Sequence, residues 1–390
     1  MILYGKKQKY ESLTTCDDNG LYEALAFAEK YAICGNILKA QTAWLIMTDE
    51  NPFSLSVERN ASDGTAEAFA KRDIAELRKI FFTEPYYAEL KDYRPLNTHI
   101  SGEELRISEV IKSFSAELDK SRDDDAFFTA IKKQYIKYGV GEFGLNKAFC
   151  MQDDGSIVPV SHIRNVTFDD IYGYDSQKEK LIRNTASFAA GGDANNVLLY
   201  GDSGTGKSTA IKAILNTFYE NGIRMIQIQK HQFVHLGTLT EQLKKRNYRF
   251  ILYMDDLSFE DFEVEYKYLK AAIEGGLEEK PENVLIYATS NRRHLIKETF
   301  ADREGSDDIH RNESIQEKIS LSDRFGLSVF YPKPVQQEYF EIIEHLAEKE
   351  GISIDRDMLI AEARKWGVAH GGYSGRTATQ FIKQLKLVDM

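Results

Sequence analysis

Residues 200–210 read YGDSGTGKSTA and follow directly on the apolar run Val197, Leu198 and Leu199. Residues 201–208 fit the pattern G-x-x-x-x-G-K-[ST], and the amphipathic stretch STAIKAILNTFYE begins at Ser208. Glycines let the backbone curl until its N–H groups point at one anion, and a helix N-terminus favours negative charge. The pattern therefore predicts a phosphate-binding loop between a buried strand and a helix. The alternative is a glycine turn that carries a surface lysine.

The side chains of this loop suit a nucleoside triphosphate and its metal ion. Lys207 can reach the β- and γ-phosphates, and the Ser208 hydroxyl can bind Mg²⁺. ATP and Mg²⁺ are therefore the expected cofactors. The residues predicted to contact the nucleotide are Gly201, Asp202, Ser203, Gly204, Thr205, Gly206, Lys207, Ser208 and Thr209.

Two consecutive carboxylates follow a second apolar run, in RFILYMDDLSFE at residues 249–260. Ligands collect at the carboxyl ends of parallel strands, which is where this order places Asp255 and Asp256. Asp255 is expected to orient Mg²⁺, and Asp256 is expected to polarise the attacking water. Because an aspartate is one methylene shorter than a glutamate, Glu260 is kept as the alternative base. Either aspartate could instead be a solvated turn residue.

A polar strand end is also present in NVLIYATSNRRHL at residues 283–295. Asn291 in this position can hydrogen-bond both the γ-phosphate and the attacking water. A lone asparagine at a strand end more often forms a turn. The order of the three motifs favours the role at the phosphate.

The chain changes character at residues 151–162, MQDDGSIVPVSH, which predict a linker or short hairpin. Before it, apolar residues recur at helical spacing, with Ser121 as a candidate N-cap and Gly139 as a candidate helix stop. After it, short apolar strands alternate with amphipathic helices, which is typical of a parallel α/β sheet. Beyond Pro334 only helical patterns follow. The predicted domains are 1–160, mostly helical; 161–333, with the sheet; and 334–390, a helical lid.

Composition limits the classes of function. The 390 residues are 42% hydrophobic and carry a net charge of −11, so a uniformly basic nucleic-acid binder is not indicated. A local basic groove remains an alternative. Apolar runs are shorter than a membrane-spanning helix needs, so no membrane association and a cytoplasmic location are expected. Cys16, Cys34 and Cys150 form no metal-ligand pattern and predict buried reduced thiols.

Together the motifs resemble those of AAA+ ATPases over residues 164–388. The stretch VTFDDIYGYDSQKEKLIRNT at residues 166–185 is similar to the lead-in of that superfamily, which implies that Ile171, Tyr172 and Gly173 pass the adenine. Within that superfamily, the chain distantly resembles the helicase-loader and branch-migration ATPases. NNVLLYGDSGTGKS, DDLSFE, YATSNRRHL, LSDRFGL and YGVGEFGLNKAF are similar to a bacterial AAA+ family of P-loop ATP-binding proteins of unknown function. The resemblance implies an α/β fold: an AAA+ parallel-sheet P-loop domain with a C-terminal helical lid and an N-terminal, mostly helical domain.

The same resemblance implies roles for two arginines. Arg324 in SLSDRFGLSVFY is placed as the arginine finger that a neighbouring subunit supplies, with Arg293 as its rival. Arg376 in GGYSGRTATQF resembles sensor 2, which reaches the γ-phosphate from the lid, and Asn291 resembles sensor 1. Arg324 could instead be a surface charge near a helix end, and Arg376 could be part of a solvated helix face. The predicted catalytic set is Asp256, Asn291, Arg324 and Arg376, with Ser208 and Asp255 at the metal.

The implied activity is ATP hydrolysis coupled to remodelling or loading of a protein or nucleoprotein client. A homo-oligomer with nucleotide at its subunit interfaces is expected, with the N-terminal domain selecting the client. A nucleotide-dependent switch with slow turnover is the first alternative, and a P-loop kinase is the second. The stretch QKHQFVHLGTL favours ordinary packing over a substrate-gripping loop, and residues 300–318 form a polar insertion.

Overall fold

The computed structural model describes residues 18–61, 64–85, 87–259, 263–274, 281–291, 295 and 321–388. Cys16, Glu260, Arg293 and the polar insertion at residues 300–318 lie outside the described residues. Contacts divide the chain into two compact units. Unit 1 comprises residues 1–148, 159–163 and 245–247, and unit 2 comprises residues 149–158, 164–244 and 248–390.

Unit 1 is helical, as its sequence pattern predicts. Its core is apolar and rich in aromatic rings, among them Phe53, Phe114, Phe127 and Tyr135, all of which are fully buried. The Tyr135 hydroxyl donates to the Ile46 carbonyl oxygen at 2.8 Å, so that its polar end is satisfied inside the core. The helices are α1 (Asp18–Lys30), α2 (Ile37–Thr48), α3 (Pro52–Glu58), α4 (Gly64–Phe82), α5 (Gly102–Asp119), α6 (Asp124–Tyr138) and α7 (Gly141–Leu145).

Unit 2 is built on a seven-stranded sheet with the strand order β2-β1-β4-β5-β6-β3-β7. From β4 to β7 in this order the neighbouring strands are parallel. Every residue of β6 is buried, which explains the continuous apolar run in its sequence. The strands are β1 (Ala148–Met151), β2 (Ile157–Pro159), β3 (Val197–Gly201), β4 (Ile223–Gln227), β5 (Arg249–Met254), β6 (Val284–Ser290) and β7 (Leu327–Tyr331).

Helices connect these strands, so the predicted α/β fold class is confirmed. Phe233 in the stretch after β4 is buried, with its ring centroid 6.3 Å from that of Phe259, in agreement with ordinary packing. The helices of this part are α8 (Asp175–Ala189), α9 (Lys207–Phe218), α10 (Leu236–Lys244) and α11 (Glu265–Glu274).

The turn-rich stretch after residue 150 forms a hairpin, one of the two structures that its sequence indicates. The Gln152 N–H donates to the Ser156 carbonyl oxygen at 2.7 Å and closes the turn between β1 and β2. Phe149 and Met151 of β1 are buried. The Gln232 amide, which follows β4, donates to the Met151 carbonyl oxygen at 3.0 Å. The hairpin therefore extends the edge of the sheet, and most of it, residues 149–158, belongs to unit 2.

Three helices follow the last strand and form the lid, as predicted. They are α12 (Gln336–Lys349), α13 (Arg356–Ala369) and α14 (Gly375–Val388). Their apolar faces meet in a separate core that includes Tyr339, Ile343, Ala363, Ala378 and Phe381. The lid is thus a small helical layer with its own hydrophobic core.

Two further predictions concern the cysteines and the membrane. Cys34 is exposed and Cys150 is partly buried, so the expectation of a buried thiol is wrong for Cys34, which follows the end of α1. No helix among the described residues is long and apolar enough to cross a membrane.

Candidate nucleotide-binding site

The glycine loop joins the end of β3 to the first residue of α9. Gly201, Gly204 and Gly206 have φ angles of 137°, 78° and 93°, which side-chain-bearing residues rarely adopt. A Cβ on Gly201 would overlap the Tyr331 carbonyl oxygen on the neighbouring strand β7. The glycines therefore provide both the backbone conformation and the space that this loop needs.

Lys207 is a buried cation held by uncharged groups. Its ammonium donates to the carbonyl oxygens of Gly201 at 2.7 Å and Asp202 at 2.6 Å, and to the Asn291 side-chain oxygen at 3.2 Å. Burial lowers the pKa of Lys207, although the negative charge of nearby Asp202 acts in the opposite direction. The Lys207 ammonium has little access to water, and its hydrogen-bond acceptors are neutral. A buried cation in these surroundings suits an anionic ligand such as a phosphate group. The glycine loop therefore holds a buried positive charge at a position where an anion could meet it.

The two predicted metal residues meet next to this lysine. The Ser208 hydroxyl, in the first turn of α9, donates to Asp255 Oδ1 at 2.8 Å. Asp255 lies just after β5, and Thr289 of β6 donates its hydroxyl proton to the same oxygen at 2.6 Å. Burial acts to raise the pKa of Asp255, but hydrogen bonds from Thr289 and Ser208 hold that pKa below its usual value. A hydroxyl and an ionised carboxylate are oxygen donors of the kind that Mg²⁺ binds.

Asp256 and Asn291 are also in contact. The Asn291 amide donates to Asp256 Oδ1 at 2.7 Å. Asp256 has a φ of 52°, a left-handed conformation that is uncommon for a residue other than glycine. Its N–H donates to Thr289 Oγ1 at 2.9 Å. Strained conformations of this kind persist where surrounding contacts hold them, and they are concentrated at functional sites.

These groups line one cavity of about 660 Å³ between the sheet and the lid of unit 2. Ile171 and Tyr172 line it as well, while Gly173 lines an adjoining cavity of about 780 Å³. The rings of Tyr172 and His345 are 5.3 Å apart and border both cavities. The sequence-predicted residues on the first cavity are Ile171, Tyr172, Ser203, Gly204, Thr205, Gly206, Lys207, Ser208, Thr209, Asp255, Asp256, Asn291 and Arg376.

The lid approaches the glycine loop through the start of α14. The Arg376 N–H donates to the Gly204 carbonyl oxygen at 3.2 Å. A Cβ on Gly204 would lie 3.1 Å from both the Arg376 Cβ and the Ser374 hydroxyl oxygen. The backbone at Arg376 is thus packed against the glycine loop, and the Arg376 side chain lines the cavity.

Besides Gly173, three residues of the predicted site do not line the first cavity: Arg324, Gly201 and Asp202. Arg324, three residues before β7 begins, is not among the residues that line the first cavity and forms an ion pair with Glu274 at the end of α11. Gly201 and Asp202 do not line it either, but their carbonyl oxygens hold Lys207. The structure therefore brings Asp256, Asn291 and Arg376 to one cavity and places Arg324 elsewhere.

Residues 145–387 match the family described as "Protein of unknown function (DUF815)". The chain belongs to this family. Among curated proteins, no sequence matches the chain.

Solved structures similar to this DUF815 chain include a point mutant of RuvB from Thermotoga maritima. The two chains are 18% identical with a TM-score of 0.41, over 57% of this chain and 66% of the other. A second is the Thermotoga maritima RuvB Holliday junction branch migration motor, with 17% identity and a TM-score of 0.35 over 57% and 73% of the two chains. A third is the FIGL-1 AAA domain in complex with ADP, with 16% identity and a TM-score of 0.37 over 55% and 71%. The DUF815 chain thus spans about two thirds of the first structure's length.

Sequence reasoning missed several residues of the cavity. Thr289 contacts Asp255 and Asp256. It lies in β6, two residues before Asn291, and this two-residue spacing at a strand end is a signal that could have identified it. Lys383 follows Arg376 by seven residues on α14, so helical periodicity could have found it. No local signal identifies His345, because its place at the cavity depends on how the lid packs.

Proposed function

We propose that this protein binds ATP with Mg²⁺ and hydrolyses it. The buried ammonium of Lys207 carries this proposal, because it lies in a glycine loop next to the pair formed by Ser208 and Asp255. Phosphoryl transfer to water depends mainly on positioning and on neutralising charge, and both are available here.

In this proposal, most of the sequence-predicted side chains that line the cavity have a role in the reaction. Lys207 and the Arg376 side chain bind phosphate oxygens, while Ser208 and Asp255 hold Mg²⁺, which would neutralise phosphate charge when bound. Asp256 accepts a proton from the attacking water, and Asn291, already hydrogen-bonded to Asp256, helps to place that water. Tyr172 and Ile171 line the part of the cavity proposed for the adenine ring of ATP.

We further propose that the active form is a homo-oligomer in which Arg324 serves the site of a neighbouring subunit. Its position away from its own chain's first cavity is compatible with that role. Nucleotide-dependent movement of the lid would then couple hydrolysis to work on a protein or nucleoprotein client, with residues 1–160 selecting it. A nucleotide-dependent switch is the second candidate. It is favoured by the ion pair between Arg324 and Glu274, because this pair engages the proposed arginine finger within its own chain.

The first test is nucleotide binding by Lys207→Ala. We expect calorimetry to detect ATP binding by the unmutated protein and none by the variant, because the phosphates lose the lysine of the loop. An unchanged melting temperature shows that the variant is folded. Affinity close to that of the unmutated protein would contradict the proposed site.

The reaction class needs a separate measurement. Steady-state release of phosphate from ATP without any added acceptor indicates an ATPase, whereas a kinase needs an acceptor. Stimulation by a client then separates a motor from a switch. Capture of proteins from native lysate by Asp256→Asn in ATP, followed by mass spectrometry, would identify candidate clients.

A further inference from the structure

Thr289 connects the two carboxylates of the site through one hydroxyl group. It is the sixth residue of β6 and is almost completely buried. Its hydroxyl donates to Asp255 Oδ1 at 2.6 Å and accepts the Asp256 N–H at 2.9 Å. The side chain therefore contacts the proposed metal ligand and the backbone of the proposed base at the same time.

The chemistry of a hydroxyl suits this double contact. A threonine hydroxyl has one proton to donate and lone pairs to accept, so the same oxygen can serve both neighbours. Valine has nearly the same shape but offers neither a donor nor an acceptor. Serine keeps both and lacks only the methyl group. The two substitutions thus separate the hydrogen bonds of residue 289 from its volume.

The contact with Asp256 matters because that residue is held in an uncommon conformation. Its φ of 52° carries a free-energy cost for a residue with a side chain. Two hydrogen bonds hold Asp256 there, one from its N–H to Thr289 and one from the Asn291 amide to its carboxylate. Without the bond to Thr289, the side chain at residue 289 could no longer hold the Asp256 backbone, and the position of the Asp256 carboxylate depends on that backbone.

We propose that Thr289 is a positioning residue for hydrolysis, which orients the Asp255 carboxylate toward the metal and holds the Asp256 backbone in its left-handed conformation. Thr289 acts through these two residues. The proposal rests on the proposed ATPase function. It adds that the geometry of both carboxylates depends on the neighbouring strand β6.

The test compares three variants of the full chain: Thr289→Val, Thr289→Ser and Thr185→Val. Thr185 of α8 is also fully buried, its hydroxyl lies 2.8 Å from the Tyr287 hydroxyl, and it is not among the residues that line the cavity. It is therefore a matched control for losing a buried threonine hydroxyl in the same unit. The readouts are kcat and KM for ATP, the Mg²⁺ concentration for half-maximal turnover, ATP affinity and melting temperature.

We expect Thr289→Val to lower kcat by about 10- to 100-fold, because a misplaced reacting group can cost on the order of 10²-fold in rate. We also expect it to raise the Mg²⁺ requirement several-fold, while KM and ATP affinity stay close to those of the unmutated protein. Thr289→Ser should restore most of kcat. Thr185→Val should lower the melting temperature by a similar amount and leave kcat within about twofold, since the Thr185 hydroxyl bonds to Tyr287 and Leu181 and to neither carboxylate of the site.

Two results would overturn the proposal. One is a kcat of Thr289→Val equal to that of the unmutated protein. The other is an equal loss of kcat in Thr289→Val and Thr185→Val, which would assign the effect to general stability. Absence of turnover in the unmutated protein would instead refute the ATPase function, and the role of Thr289 in hydrolysis would fall with it. The kcat ratios between variants therefore test the role of Thr289, while turnover by the unmutated protein tests the ATPase function.

Discussion

At the scale of single residues, the site depends on groups held in costly states. Lys207 is a buried cation that contacts neutral oxygens, and Asp256 has a left-handed backbone conformation. Both states cost free energy, and neighbouring hydrogen bonds offset part of it. Such groups are more common at ligand sites than elsewhere, because a ligand supplies the missing interaction.

Asp256→Asn should keep ATP binding and lose hydrolysis. The amide is a far weaker acceptor for the proton of the attacking water, and a general base contributes about 10² to 10⁴ in rate. Calorimetry measures the affinity, and phosphate release measures the turnover. Normal turnover by this variant would make Glu260 or another acid the base.

At the scale of elements, two parallel strands approach closely at the beginning of the glycine loop. Gly201 of β3 is opposite Tyr331 of β7, and a Cβ at residue 201 would overlap the Tyr331 carbonyl oxygen. The glycine is thus needed for the strand pair itself, apart from any contact with phosphate. Gly222, before β4, also has a positive φ but has open space where a Cβ would be.

Gly201→Ala should therefore destabilise the protein more than Gly222→Ala. We expect Gly222→Ala to cost about 1 to 3 kcal/mol, because it introduces backbone strain alone. Gly201→Ala adds a clash with backbone atoms, and overpacking typically costs about 1 to 3 kcal/mol more. Urea unfolding of both variants gives the comparison. Equal losses would mean that the strands separate without cost, against the close approach described.

At the scale of the whole molecule, the proposed activity needs more than one chain. Arg324 forms an ion pair with Glu274 and does not line the cavity of its own chain. A finger that acts on a neighbouring subunit would leave Glu274 on assembly. Arginine fingers contribute about 10³ to 10⁵ in rate, so this movement would make hydrolysis depend on the oligomer.

Mixing two inactive variants tests this dependence. An Asp256→Asn subunit lacks the base but still has Arg324, and an Arg324→Ala subunit has an intact site without a finger. Each alone should be nearly inactive, and mixtures should recover turnover with a maximum at intermediate ratios. Native mass spectrometry verifies that both subunits share one assembly. No recovery in such mixed assemblies would show that Arg324 does not act between subunits, and Arg293 would be the next candidate.

By itself the sequence determined the features that depend on residues close together in the chain. The glycines and Lys207 predict the phosphate loop, the apolar runs predict the strands, and Gly139 predicts the end of α6, where its φ is 77°. Local steric and hydrogen-bonding preferences decide these features. The predicted N-cap Ser121 was wrong for the same helix, because the helix begins two residues later than that cap requires and the Asp123 side chain accepts the Ala126 N–H.

Only the tertiary structure decided which distant side chains meet. Thr289 reaches Asp255 because β5 and β6 are neighbours, and Arg324 meets Glu274 across 50 residues of sequence, an ion pair that no local pattern predicts. Packing of the lid likewise brings His345 to the cavity. Strand order and helix packing follow from burying one shared core, and that free energy is a property of the whole chain. Short-range patterns therefore identified the chemical groups, while the core determined their arrangement.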